Sequence, residues 1–126
     1  MLRIGAIVLG VSDLPRAVRF WAEALGYLIS AAEERDDWVV LVPEDGPGTP
    51  LVLTLNSSVA EERPRAHVDL FTDGAAEQAA EITRLISIGG VFVSWDRRPG
   101  EPDFAVLADT EGNRFCVVDT GTVDLG

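Results

Sequence analysis

The stretch LRIGAIVLGVSDLPRAVRFWAEALGY, residues 2–27, decides the fold. Its first ten residues are apolar and β-branched, which suits a strand over 2–11. Ser12 or Asp13 can cap a helix, and Pro15 suits that helix's first turn. Leu14, Val18, Trp21 and Leu25 recur at helical spacing, so one face is apolar and Trp21 belongs to the core. Gly26 stops the helix. Three short strands follow in YLISAA, WVVLVP and PLVLTLN, with the loop PEDGPGTP (43–50) between the last two.

The second half repeats this order. AHVDLFT (66–72) reads as a strand. DGAAEQAAEITRLISIGG (73–90) reads as a helix whose Ala79, Ile82 and Ile86 share a face, ended by Gly89 and Gly90. VFVSW, FAVLAD and NRFCVVD are again three strands, with DRRPGEPD (96–103) as the loop. Each half is therefore strand, helix, strand, strand, strand. The expected organisation is a single domain over 1–126. Module one takes 1–56, a polar linker 57–65, module two 66–120 and a tail 121–126. Units this small bury little sheet surface alone, so the two are expected to pack together. The predicted class is α+β, with tandem βαβββ modules curling a mixed sheet around a cleft and the helices outside.

Composition narrows the function classes. Ten basic and 21 acidic side chains give a formal net charge of −11, which opposes binding to nucleic acid phosphates. The same charge favours a cationic ligand, although acidic surfaces also serve solubility alone. Apolar residues make up 47% of the chain, but no run approaches a membrane span. The apolar start is cut off by Ser12 and Asp13 and lacks a cleavage-site pattern, so it is taken as a strand. A lone cysteine, Cys116, forms no internal disulfide, and the expected location is the reducing cytoplasm.

With VLGVSDLPRAVRFWAEALGY (8–27) near its start and VLADTEGNRFCVVD (106–119) near its end, the chain resembles the vicinal oxygen chelate superfamily. That superfamily includes glyoxalase I, extradiol dioxygenases, fosfomycin-resistance enzymes and bleomycin-resistance proteins. HVDL followed by DTEGNRFCVVD resembles its glyoxalase-like subgroup, with Thr110 where that motif usually has proline. The resemblance covers nearly the whole chain. It implies a cleft with metal ligands on the first and last strands of the modules, and a homodimer. The implied ligand positions are a histidine on the first strand, a histidine on the fifth, a glutamate on the eighth, and a fourth position on the last strand of module one. They fall here on Ala6, His67, Cys116 and Thr54. Only His67 matches. No metal and no cofactor is therefore expected. The other reading is a divergent zinc site of His67, Asp69 and Cys116. Regular strand spacing puts His67 and Asp69 about 7 Å apart at Cα, which disfavours shared coordination.

Alternation assigns the cleft lining. Val68 and Leu70 face the helices, leaving His67, Asp69 and Phe71 to the cleft. Ile7, Leu9 and Val11 likewise leave Ala6 and Val8, and on the eighth strand Cys116 and Val118 join His67. Trp38 and Phe104 are placed at the cleft ends. The expected ligand-binding residues are thus His67, Asp69, Phe71, Cys116, Trp38, Phe104, Val8 and Thr54. Arginines in EERPR and DRRPG can clamp an anion at the rim. For Cys116 the alternative is a small buried hydrophobe, and for His67 a structural hydrogen bond.

Two functions follow. The first is metal-independent binding of a cationic or aromatic small molecule in an apolar cleft, as in drug-sequestering relatives, with no catalysis. The second is a lyase, dioxygenase or transferase of the superfamily, using a divergent metal site or acid–base chemistry by His67 and Asp69.

Overall fold

The structure is a computed structural model, and it describes residues 1–31, 35–96 and 103–121. The chain separates into two compact units, Met1–Val59 and Ala60–Gly126, divided within the polar linker. The elements run β1 (Ile7–Val11), α1 (Leu14–Leu25), β2 (Tyr27–Ile29), β3 (Trp38–Pro43) and β4 (Leu51–Leu55) in the first. The second holds β5 (Asp69–Thr72), α2 (Ala75–Ser87), β6 (Val91–Asp96), β7 (Asp103–Ala108) and β8 (Arg114–Asp119). Among the described residues, two helices and eight strands make an α+β fold with two four-stranded sheets, ordered β1-β4-β3-β2 and β5-β8-β7-β6. The repeat inferred from element order is thus also a repeat of strand order. No described helix is long and apolar enough to cross a membrane.

In each unit the first strand pairs in parallel with the last, and the rest of the sheet is antiparallel. A parallel pair needs a crossover, which each helix and its two following strands supply. α1 begins as its sequence dictates. Asp13 accepts the Arg16 N–H at 3.0 Å, Pro15 lies in the first turn, and Gly26 takes the left-handed conformation (φ 67°) that ends the helix. Its buried face is Leu14, Ala17, Phe20 and Trp21, with the two aromatic rings packed edge to face at 5.2 Å. Val18 and Leu25 are only half-buried.

α2 departs from its expected face. Its buried residues are Gln78, Ile82 and Leu85, while Ala79 and Ile86 lie outside. The cause is Gln78. Its amide nitrogen donates to the carbonyls of Asp103 and Val117, both at 3.2 Å, and that anchor turns the helix by about one residue. Gln78 Oε1 is buried without a hydrogen-bond partner among the described residues.

Strand starts are later than the apolar runs suggest. Residues 1–6 join no strand and are exposed, and β5 begins at Asp69 instead of 66. The DTEGN stretch of the resemblance is a turn held by one carboxylate. Buried Asp109 accepts the N–H groups of Glu111 (2.9 Å) and Asn113 (2.8 Å) and the Asn113 side chain (3.2 Å). That turn joins β7 to β8 and sets their register, which brings Cys116 opposite Val106. At the other end of β8, buried Asp119 accepts the N–H groups of Gly74 and Gly121, which pins the entry to α2.

Candidate functional site

The β5–β8 pair builds the site. Asp69 stands opposite Cys116, and Phe71 opposite Val118. Across the next ladder Cys116 meets Val106, and Val118 meets Phe104. Directly opposed residues share a sheet face, so these six form one surface. That surface is the floor of a cavity of about 570 Å³ within the second unit. Arg114, two residues before Cys116, lines it as well, and Glu62 and Pro64 of the linker complete its rim.

Most of the wall is apolar. Phe71 is 62% exposed, a large aromatic held open to solvent by a β-strand. The polar lining is Glu62, His67, Asp69, Arg114 and the Cys116 thiol. His67 Nε2 lies 2.9 Å from Asp69 Oδ1, both side chains about half exposed. Cys116 is only 8% exposed, with its thiol within 4.8 Å of an Asp69 carboxylate oxygen. Burial pushes that thiol up to about 11, and the Asp69 carboxylate pushes the same way. At neutral pH Cys116 therefore keeps its proton and is a poor nucleophile.

His67, Asp69 and Cys116 thus offer donor atoms all within 4.8 Å of one another. Regular strand spacing disfavours shared coordination of one ion by His67 and Asp69. The distance closes because His67 precedes β5 and lies in no regular element, so its ring is free to turn back onto the carboxylate.

Of the residues expected to meet a ligand, His67, Asp69, Phe71, Phe104 and Cys116 come together here. Val8, Trp38 and Thr54 belong to the first unit. There Val8 is 59% exposed, Trp38 stacks under the Arg35 guanidinium at 4.9 Å, and the Thr54 hydroxyl meets the Asp37 carbonyl at 3.5 Å. Arg63 and Arg65 are exposed and do not line the cavity. Arg97 and Arg98 lie outside the described residues. Glu62, Pro64, Val106, Arg114 and Phe115 were missed as lining. For Val106 and Arg114 the signal was available, since alternation from Phe104 and Cys116 reaches both.

The metal set implied by the resemblance does not fit this chain. Ala6 has no donor atom, and Thr54 spends its hydroxyl on a backbone carbonyl. Of its four positions only His67 carries the implied residue, and Cys116 puts a thiol where a glutamate is implied.

The family described as Glyoxalase-like domain matches residues 6–118. The uncharacterized protein YurT of Bacillus subtilis is 29% identical over 123 residues, spanning 86% of this chain and 91% of that protein. Among solved structures, a glyoxalase/bleomycin resistance protein/dioxygenase family enzyme from Burkholderia phytofirmans PsJN gives a TM-score of 0.77 at 12% identity, over 94% of this chain and 98% of that one. A mutant of the fosfomycin resistance protein FosX of Listeria monocytogenes, complexed with manganese(II) and a dihydroxypropylphosphonic acid, gives 0.76 at 16% identity, over 94% and 90%. Lactoylglutathione lyase from Agrobacterium tumefaciens gives 0.70 at 18% identity, over 99% and 98%. At these identities the structural likeness is one of fold. The chain belongs to the glyoxalase-like domain family, within the vicinal oxygen chelate superfamily.

Proposed function

We propose that this chain is a small-molecule-binding protein of the glyoxalase/bleomycin-resistance type, taking an aromatic ligand into the second unit's cavity without help from a metal. One observation carries this reading. The cavity, about 570 Å³, is walled by Phe71, Phe104, Val106 and Val118, with the polar side chains of Glu62, His67, Asp69 and Arg114 among its lining. That volume and that division between an apolar wall and a few polar groups match small-molecule sites in general. An aromatic body would cover Phe71 and remove its exposed ring from water. A donor or cationic group on the ligand would meet Asp69, and the net charge of −11 favours its approach. Metal independence is supported by the missing donor at Ala6 and by the carboxylate of Asp69, which is already engaged by His67.

The test is a thermal-shift screen of aromatic amines and neutral aromatics in excess chelator, followed by calorimetric titration of the hits. Binding that persists in chelator and weakens in Phe71→Ala supports the reading. Hits that vanish on adding chelator, or that bind Phe71→Ala equally well, overturn it.

A second reading is catalytic. The 2.9 Å His67–Asp69 pair is the arrangement in which a carboxylate orients an imidazole for proton transfer. It requires turnover of a bound compound that His67→Ala abolishes and His67→Ala alone does not unfold. Unchanged turnover in that variant removes His67 from any such chemistry.

A further inference from the structure

The lining of the second unit's cavity includes a positive charge with no internal partner. Of the described arginines only Arg84 and Arg114 are half-buried, and the others are exposed. Arg84 spends its guanidinium on Glu81, at 2.7 and 2.9 Å. Arg114 lines the cavity, and among the described residues its side chain has neither an ion-pair nor a hydrogen-bond partner. Two carboxylates line the same cavity, those of Glu62 and Asp69, and neither forms an ion pair with it. The sheet explains the separation from Asp69. Arg114 opens β8 opposite Ala108, whereas Asp69 pairs with Cys116, two residues further along. Strand spacing then sets Arg114 and Asp69 on one face but about 8 Å apart at Cα. The Asp69 carboxylate meets His67 instead, at 2.9 Å.

A guanidinium half removed from water loses hydration, and here no protein group replaces it. An acid group on a ligand would. The planar fork of an arginine matches a carboxylate through two parallel N–H···O bonds. Phe71, Phe104, Val106 and Val118 wall the cavity with apolar surface, and the lower local dielectric strengthens such a contact. A simple anion is opposed by the net charge of −11 and by Glu62 and Asp69 in the same lining. A ligand that carries both signs escapes that repulsion and has a counterpart for each charge. Resting on the reading of this cavity as an aromatic-binding site, we infer that Arg114 is its specificity-determining residue. The ligand class is then an amphoteric aromatic, with a carboxylate for Arg114 and an ammonium for the Asp69 side. Arg114 touches the ligand's acid group, and the aromatic body lies over Phe71.

The experiment titrates the full chain calorimetrically, in excess chelator, with probes that share one aromatic body. These are naphthylalanine, naphthylethylamine, which lacks the carboxylate, and naphthylpropionate, which lacks the ammonium. Naphthylalanine is expected to bind tightest, with naphthylethylamine about tenfold weaker. Arg114→Gln is expected to abolish that advantage, weakening naphthylalanine and naphthylpropionate by about tenfold and leaving naphthylethylamine within about twofold. Unchanged binding of the amine also shows that the variant's cavity is intact. Arg114→Lys keeps the charge but loses the fork, so it is expected to restore only part of the difference. An amine that binds the unaltered chain as tightly as the amino acid overturns the role of Arg114. So do equal losses for all three probes in both variants. Either result leaves the aromatic site standing if binding still weakens in Phe71→Ala. Failure of all three probes to bind overturns the aromatic reading and the role of Arg114 together.

Discussion

The two modules share one strand order and diverge in the side chains they place on it. Aligning Leu9 with Leu70 sets Ala6 against His67 and Val8 against Asp69. The parallel registers extend the match, because Val8 pairs with Val52 as Asp69 pairs with Cys116. Where the first module has Ala6, Val8 and Val52, the second has His67, Asp69 and Cys116. One scaffold therefore carries an apolar version of a site and a chemically equipped one. The helices differ in the same way. The fourth residue is Ala17 in α1 and Gln78 in α2, both fully buried. The first module fills its helix–sheet layer with Phe20 and Trp21. The second uses smaller side chains and ties its helix down with an amide.

The largest expected effect tests that contrast in the core. Trp21→Ala should cost about 3–5 kcal/mol, because a side chain only 2% exposed leaves a cavity that the rigid sheet cannot refill. Denaturant unfolding measures it, and a loss below about 1 kcal/mol would show that the first module does not rest on its aromatic pair.

Next comes Cys116. Folding raises its thiol from 9.0 to about 11, so alkylation at pH 8 should be about a hundredfold slower than in the urea-unfolded chain. Asp69→Asn should recover part of that rate, since it removes the charge but leaves the burial. The same shift fixes a pH dependence. The unfolded chain gives up this proton first, so the thiol's contribution to stability is complete below pH 9 and is lost as pH rises toward 11. A thiol that reacts at the unfolded rate would make Cys116 unlike its counterpart Val52.

Gln78→Ala copies the first module's residue into the second. It removes the hydrogen bonds to the Asp103 and Val117 carbonyls and opens a void, for an expected loss of about 2 kcal/mol. A neutral result would mean that the amide does not anchor α2. The smallest effect concerns Phe71, which occupies the position of Gly10. Phe71→Ala should leave stability within about 0.5 kcal/mol, because its ring is exposed, while weakening an aromatic ligand by about tenfold.

Much of this was legible in the sequence, and the misses have physical causes. The strand–helix–strand–strand–strand order follows from β-branched runs, the Asp13 cap and Gly26. The face of α2 was misassigned because hydrophobic periodicity counts Gln78 as polar, whereas two backbone carbonyls make it a core residue. The site was half visible. Alternation grouped Asp69 with Phe71 and Cys116 with Val118, yet only the parallel register sets Asp69 opposite Cys116. The reach of His67 was hidden for a different reason. Strand spacing was applied to a residue that precedes the strand, and its ring turns back to the carboxylate.

The most direct test of the division between the modules is residue-resolved nuclear magnetic resonance of the protein titrated in chelator with an aromatic ligand from the screen. The account predicts that the largest amide shifts fall on Asp69, Phe71, Phe104, Val106, Cys116 and Val118. Shifts concentrated on Val8, Trp38 and Thr54, with the second module unmoved, would contradict it.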